Sequence, residues 1–176
     1  MLVLGGGRSG KSSWALNYVE REYRSRLFLA TAEVRDQEMA ERVRLHREAR
    51  GPEWALVEEP LEIPEILVKR CGAGDGVLID CLTLWLSNVM LQKGEAQVES
   101  YKERFFQALK TTLAGVVMVS NEVGMGIVPE HPLGRAFRDA AGLLNQQAAA
   151  ISDRVVFMVA GCPLWLKQGE AREKDI

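Results

Sequence analysis

Eight residues near the start of the chain constrain its fold more than anything else in it. Gly5-Gly6-Gly7-Arg8-Ser9-Gly10-Lys11-Ser12 fits the pattern G-x-x-x-x-G-K-[ST]. The apolar run MLVL precedes it, and Trp14, Ala15, Tyr18 and Val19 recur after it at helical spacing. A clipped strand over 2–4, a glycine turn and a helix over 11–23 are therefore expected in direct succession. Glycines let successive backbone N–H groups turn inward around phosphate oxygens, and the helix N-terminus adds the positive end of its dipole. All eight residues, Gly5 to Ser12 with Arg8 and Ser9 included, are thus candidate nucleotide-binding residues. Lys11 is placed to reach the β and γ phosphates and Ser12 to ligate Mg²⁺. A glycine turn that matches the pattern by chance would not require the flanking strand and helix.

The rest of the chain alternates short β-rich runs with longer helical patterns. Strands are expected over 26–32, 76–80, 116–120 and 154–160 as well as 2–4. Helices are expected over 36–50, 61–70, 82–91, 98–113 and 133–151. Gly51-Pro52 stops the helix that Asp36 would cap, and Pro64 suits the first turn of the next. Five strands with helices between them predict an α/β fold of the P-loop NTPase type, a mostly parallel, doubly wound sheet flanked by helices. A single domain spanning 1–176 is expected, with a polar tail over 167–176 that frays. The helix over 98–113 carries an apolar stripe of Val98, Tyr101, Phe105 and Leu109, a packing face. Trp54, Trp85 and Trp165 read as core or interface residues in preference to stacking platforms for a ligand.

In open parallel sheets ligands bind outside the carboxyl ends of the strands, and these ends carry polar groups here. The second strand leads into Thr31-Ala32-Glu33, the third ends at Asp80, and the fourth runs into Ser120-Asn121-Glu122. Asp80 after Val77-Leu78-Ile79 is positioned as a Walker-B acid for Mg²⁺, or else as a helix cap. Glu122 is a second candidate for Mg²⁺ or for accepting the proton of an attacking hydroxyl, or else a solvated residue of a Gly-hinged loop. Further on, Arg42, His46 and Arg50 recur every four residues and share a helix face, with Arg44 and Arg47 nearby. Guanidinium groups match phosphate oxygens, and a neutral imidazole can attack phosphorus. Met39 and Val43 also precede His46 at helical spacing, so on the pattern alone an ordinary half-buried histidine is the preferred reading.

Composition narrows the classes. Of 176 residues, 47% are hydrophobic and 26% charged, which excludes a disordered chain. Lys+Arg number 22 against 24 Asp+Glu, so no basic excess points to nucleic acid. Cys71, Cys81 and Cys162 form no CxxC pair and suit a reducing compartment. Gly76, Asp80 and Ser120 interrupt the longest apolar stretches, and the opening MLVLGGG has no basic region followed by a signal-type apolar run. No transmembrane segment and a cytoplasmic location are therefore expected.

Several runs occur in a distinctive order: LGGGRSGKS, LATAEVRDQEMAERVRLHREAR, VEEP, LIDCLTLWLSN, VSNEVGMGIVPEHPLGRAFRDAAGLLNQQAA and VAGCPLWLK. On these the chain resembles the bifunctional adenosylcobinamide kinase/adenosylcobinamide-phosphate guanylyltransferase family of cobalamin biosynthesis, over nearly its whole length. Gly7 stands where an alanine is common, and the first strand begins almost at Met1. The resemblance implies two reactions. Adenosylcobinamide is phosphorylated with ATP or GTP, and GMP is then passed from GTP to that phosphate through a guanylyl-histidine, giving adenosylcobinamide-GDP and pyrophosphate. It carries the nucleophile over to His46 and GTP binding to Gly5–Ser12, and it implies a homo-oligomer, typically a trimer. Lys11, Asp80, Glu122 and His46 are then the expected catalytic residues, with Ser12 and Asp80 for Mg²⁺. Glu33, Arg47, Glu58 and Asp80 are expected near the nucleotide, Glu58 with Glu59 by position alone. A different small P-loop metabolite kinase would show γ-phosphate transfer with no use of His46. A nucleotide switch would bind tightly, turn over slowly and ignore corrinoids.

Overall fold

Alternation along the strands decides how the molecule is layered. Successive side chains of a strand point to opposite faces, so the apolar runs of this chain supply two faces at once. The computed structural model describes residues 1–33, 51 and 53–169. Within them β1 (Leu2–Gly5), β2 (Ser25–Ala30), β3 (Trp54–Glu58), β4 (Asp75–Asp80), β5 (Gly115–Asn121), β6 (Val155–Val159) and β7 (Cys162–Lys167) form one sheet in the order β3-β2-β4-β5-β1-β6-β7. All neighbouring pairs are parallel except β6 with β7.

The helices are α1 (Lys11–Glu22), α2 (Ile63–Arg70), α3 (Leu82–Lys93), α4 (Val98–Thr111) and α5 (Pro132–Ile151), with a 3₁₀ turn at Glu95–Gln97. On one face Leu2, Leu4, Val77, Ile79 and Val155 pack with Ile63 and Leu67 of α2, Trp85 and Leu86 of α3, Phe105 of α4 and Leu144 of α5. On the other, Val3, Leu78, Val117, Val119 and Val156 pack with Ala15, Leu16 and Val19 of α1. The two sets interleave in sequence, as strands covered on both faces require. None of the described helices is long and apolar enough to cross a membrane.

This is the expected α/β architecture with two strands more than the five expected. Both additions lie at the sheet edges. β3 pairs only with β2, and Ala55, Leu56 and Glu58 along it are exposed. β7 pairs only with β6, through a tight turn in which Ala160 and Gly161 take left-handed φ of 51° and 82°. Edge strands lack the continuous apolar run of a buried strand, so neither stood out by pattern. Lys167, the first residue of the expected tail, closes β7 opposite Val155; residues 170–176 lie outside the described part. The second strand ends at Ala30, two residues short of expectation; beyond it the Thr31 carbonyl is taken by the Asn88 side chain in place of a strand partner. Trp85 and Trp54 are buried, and Trp165 meets Trp14 edge-on at 5.8 Å between ring centres. All three tryptophans are packing residues.

Candidate active site

β1 lies inside the sheet, between β5 and β6, and its carboxyl end opens into the glycine loop. Gly5 is held against the neighbouring strand. A Cβ there would come within 2.7 Å of the Met158 carbonyl oxygen, so only glycine fits where the loop leaves the sheet. Arg8 and Gly10 take left-handed φ of 56° and 89°, which turns the backbone back toward α1. The Gly161 N–H donates to the Ser9 carbonyl at 3.0 Å and ties the loop to the β6–β7 turn. Gly6, Gly7 and Arg8 are exposed at the rim, while Lys11 is buried and its ammonium donates to the Gly6 carbonyl at 2.9 Å. Ser12 is half-buried in the first turn of α1, and α1 has no acidic residue in that turn to offset the positive dipole end. The Ser9 hydroxyl is buried and makes no hydrogen bond.

Asp80 stands at the carboxyl end of β4, half-buried, opposite Ala30 of β2 and Val119 of β5. Its position rests on a clamp that the sequence did not reveal. The buried Thr31 hydroxyl accepts the Cys81 N–H at 2.8 Å and donates to the Cys81 carbonyl at 2.8 Å. The Thr31 N–H donates to the Asp80 carbonyl at 3.1 Å, and the Asn88 amide donates to the Thr31 carbonyl at 2.8 Å. Cys81 is buried. Desolvation pushes its thiol up to about 11, with the Asp80 carboxylate adding to the rise and the Lys11 ammonium opposing it. Both charges therefore act on this thiol, which stays protonated near neutrality and is no nucleophile.

A second network fixes the carboxyl end of β5. The Thr83 hydroxyl accepts the Asn121 backbone and side-chain N–H groups, both at 3.1 Å, and lies 3.3 Å from the Cys81 sulfur. The Asn145 amide of α5 donates to the Asn121 carbonyl at 3.1 Å. The Glu122 N–H then donates to the Gly5 carbonyl at 3.1 Å, so the chain after β5 touches the base of the glycine loop. Thr83 and Asn88 fall within a motif already singled out, but their partners are 38 and 57 residues away in sequence. Only the fold brings those partners together.

The other expected residues divide. The Glu122 carboxylate accepts the Gly124 N–H at 2.8 Å and so shapes its own loop. Glu33 follows the Thr31 clamp and accepts from the Gln92 side chain at 2.8 Å. Glu58 ends the edge strand β3 and is exposed. The Glu59 carboxylate turns to the Leu61 and Glu62 N–H groups, both at 2.9 Å, and organises the entry to α2. The helix expected over 36–50, with Arg42, Arg44, His46, Arg47 and Arg50, lies outside the described residues. Ser12 and Asp80 offer hard oxygen donors of the kind Mg²⁺ takes. Among the described residues no three His, Cys, Asp or Glu side chains cluster to hold a metal. That set fits an ion bound largely by phosphate oxygens and water.

A parallel sheet with a glycine loop running from its inner strand into a helix N-terminus defines a P-loop nucleotide-binding protein of the α/β class. Residues 1–166 match the family described as CobU: cobinamide kinase / cobinamide phosphate guanyltransferase. The chain is 39% identical over 166 residues to the bifunctional adenosylcobalamin biosynthesis protein CobP of Pseudomonas aeruginosa, covering 94% of this chain and 96% of that protein. It is 35% identical to the bifunctional adenosylcobalamin biosynthesis protein CobU of Escherichia coli K12, and 33% to the protein of the same name in Salmonella typhimurium. Each of these alignments covers 95% of this chain and 99% of the relative. The chain belongs to this family of cobinamide kinases and cobinamide phosphate guanyltransferases.

Proposed function

We propose that this chain carries out both reactions in its family's description on the adenosylated corrinoid: phosphorylation of adenosylcobinamide, then guanylyl transfer to the phosphate so made. The observation that carries the reading is the glycine loop on β1, joined to family membership over nearly the whole chain. ATP and GTP are substrates. Gly5 to Ser12 cradle the phosphates, and Lys11 leaves the Gly6 carbonyl to meet the β and γ oxygens. In the first reaction the aminopropanol oxygen of the corrinoid bonds to the γ phosphorus. The bond from that phosphorus to the β–γ bridging oxygen breaks, and the hydroxyl proton passes to a base, the role given to Glu122. Alignment and charge neutralisation by Lys11 and the loop amides supply most of the rate.

In the second reaction an imidazole nitrogen of His46 bonds to the α phosphorus of GTP and pyrophosphate leaves. The phosphate oxygen of adenosylcobinamide phosphate then bonds to the same phosphorus and frees the histidine. Two displacements let one compact site exchange pyrophosphate for a bulky acceptor. Arg47 lies next to His46 in sequence and is assigned to the leaving phosphates, and Glu33 and Glu58 to the surroundings of the nucleoside. Ser12 and Asp80 would hold Mg²⁺, which supplies charge neutralisation at the phosphate oxygens. The enzyme is read as cytoplasmic from its three scattered cysteines, and as a homotrimer on the strength of the family resemblance.

The test uses α-labelled GTP. Wild-type protein with GTP and Mg²⁺ should carry acid-labile label, and adenosylcobinamide phosphate should discharge it into adenosylcobinamide-GDP. His46→Ala should take up no label yet still transfer a γ-labelled phosphate to adenosylcobinamide. Labelling of the variant equal to wild type would remove His46 from the mechanism.

A further inference from the structure

Four large apolar side chains stand in solvent within nine residues of the loop that joins β5 to α5. Met125 is 79% exposed, Ile127 97%, Val128 57% and Leu133 49%. None of them belongs to either core cluster, although Val123 and Phe137 on either side do pack inward. The loop is held in shape by its own polar contacts. The Glu122 carboxylate binds the Gly124 N–H, and the Arg135 guanidinium donates to the carbonyls of Pro129 and Glu130 at 3.1 and 2.6 Å. A Cβ on Gly134 would meet the Pro129 ring at 2.8 Å, so the start of α5 closes tightly under the loop. Folding thus spends polar contacts on a segment whose apolar side chains gain no burial from it. Exposed apolar groups gathered this closely along one loop point to a binding surface.

We infer that Met125, Ile127, Val128 and Leu133 form the surface against which the corrinoid ring of the acceptor lies. The inference rests on the function proposed above. The loop begins at Glu122, whose N–H is bonded to the Gly5 carbonyl at the base of the phosphate loop. An acceptor hydroxyl in line with a γ phosphate in that loop must leave the rest of its molecule over this rim of the sheet. A corrinoid is a broad macrocycle with apolar faces and amide-bearing edges, and a large face of that kind gains by covering apolar surface. The nucleotide makes no such demand, since its phosphates are met by backbone N–H groups and Lys11. A second copy of the chain on the same loop is the competing occupant, and it predicts a change of assembly.

The experiment varies each substrate separately in a kinase assay with γ-labelled ATP, using the full chain. Met125→Ser combined with Ile127→Ser should raise KM for adenosylcobinamide about tenfold or more, the loss expected when buried apolar contacts are removed. KM for ATP should stay within about twofold, and the sedimentation mass should not change. Leu113→Ser, which alters a 77% exposed apolar residue at the opposite edge of the sheet, should leave both KM values alone. Equilibrium dialysis of adenosylcobinamide against the folded variants should show the same loss of affinity. An unchanged corrinoid KM, an equal rise in both KM values, or a fall in sedimentation mass overturns the inference. Absence of corrinoid phosphorylation in the wild type would instead remove the proposed function itself.

Discussion

The two edges of the sheet use glycine for opposite ends. At the carboxyl edge, Gly6 and Gly7 leave backbone exposed and Gly10 turns the loop into α1. At the amino edge, Gly76 and Gly115 make room for Tyr23. A Cβ on Gly76 would lie 2.5 Å from the tyrosine ring, and one on Gly115 would overlap the Tyr23 hydroxyl. Side chains bonded to backbone brace that edge. Arg26 donates to the Tyr23 and Glu20 carbonyls at 2.7 and 2.9 Å, and Asp75 accepts the Gly72 N–H at 2.8 Å. A cavity of about 900 Å³ opens at the amino edge, between Tyr18, Tyr23, Leu109, Ile151 and Arg154. That cavity lies away from the glycine loop and the N-terminus of α1, the two features on which the proposed function rests.

Four substitutions test this division. The largest effect is expected from Lys11→Ala, which removes the charge that the proposed function assigns to the transferred phosphate. The kinase kcat/KM should fall by about 10²–10³, while urea unfolding shifts by no more than about 1 kcal/mol. A stability loss as large as the activity loss would mean that Lys11 is chiefly structural. Next comes Thr31→Val, which keeps shape but strips the Cys81 N–H and carbonyl of their partner. Unfolding free energy should drop by about 2–3 kcal/mol, and kcat should fall with it as Asp80 loses its anchor. Thr31→Ser should restore both. A Val variant of normal stability and activity would show that the clamp is dispensable.

Gly115→Ala tests the amino edge. Its methyl group meets Tyr23, so stability should drop by about 1–3 kcal/mol, read from denaturant midpoints, with the KM for nucleotide unchanged. The smallest effect belongs to Asp75. The Ser25 hydroxyl first, then the Gly72 N–H, hold its carboxyl below the ordinary carboxylate range. A carboxyl depressed by folding stabilises above its unfolded pKa and loses that contribution as pH falls through the folded one. Wild type should thus exceed Asp75→Asn in stability at neutral pH, and the gap should close as the pH drops below about 4. A gap that persists at pH 2 would assign the difference to packing.

Legibility in the sequence followed the range of the interaction. The glycine loop, α1, β4 and the long helix α5 were readable because each is set by its own residues: glycine conformations, apolar runs and periodicity. The strands β3 and β7 were not, because an edge strand is defined by the partner it finds. The site divided in the same way. Lys11, Ser12 and Asp80 were marked by their places in local motifs. Nothing local marks Asn145 as the residue whose amide meets the Asn121 carbonyl, or Thr31 as the residue that fixes the Cys81 peptide. The part Glu59 plays in the turn into α2, where its carboxylate accepts the Leu61 and Glu62 N–H groups, is likewise set by the local backbone path and not by its place in the VEEP run.

The sequence by itself determined the phosphate loop, the α/β class and the family, because short-range geometry and motif order suffice for those. The tertiary structure decided that Asp80 is held by Thr31 and Asn88, that the chain after β5 bonds to Gly5, and that Met125 and Ile127 remain outside the core. The reason is physical. A buried hydrogen bond or a vacant apolar face depends on which distant segment arrives beside it, and the strand order β3-β2-β4-β5-β1-β6-β7 sets that arrival.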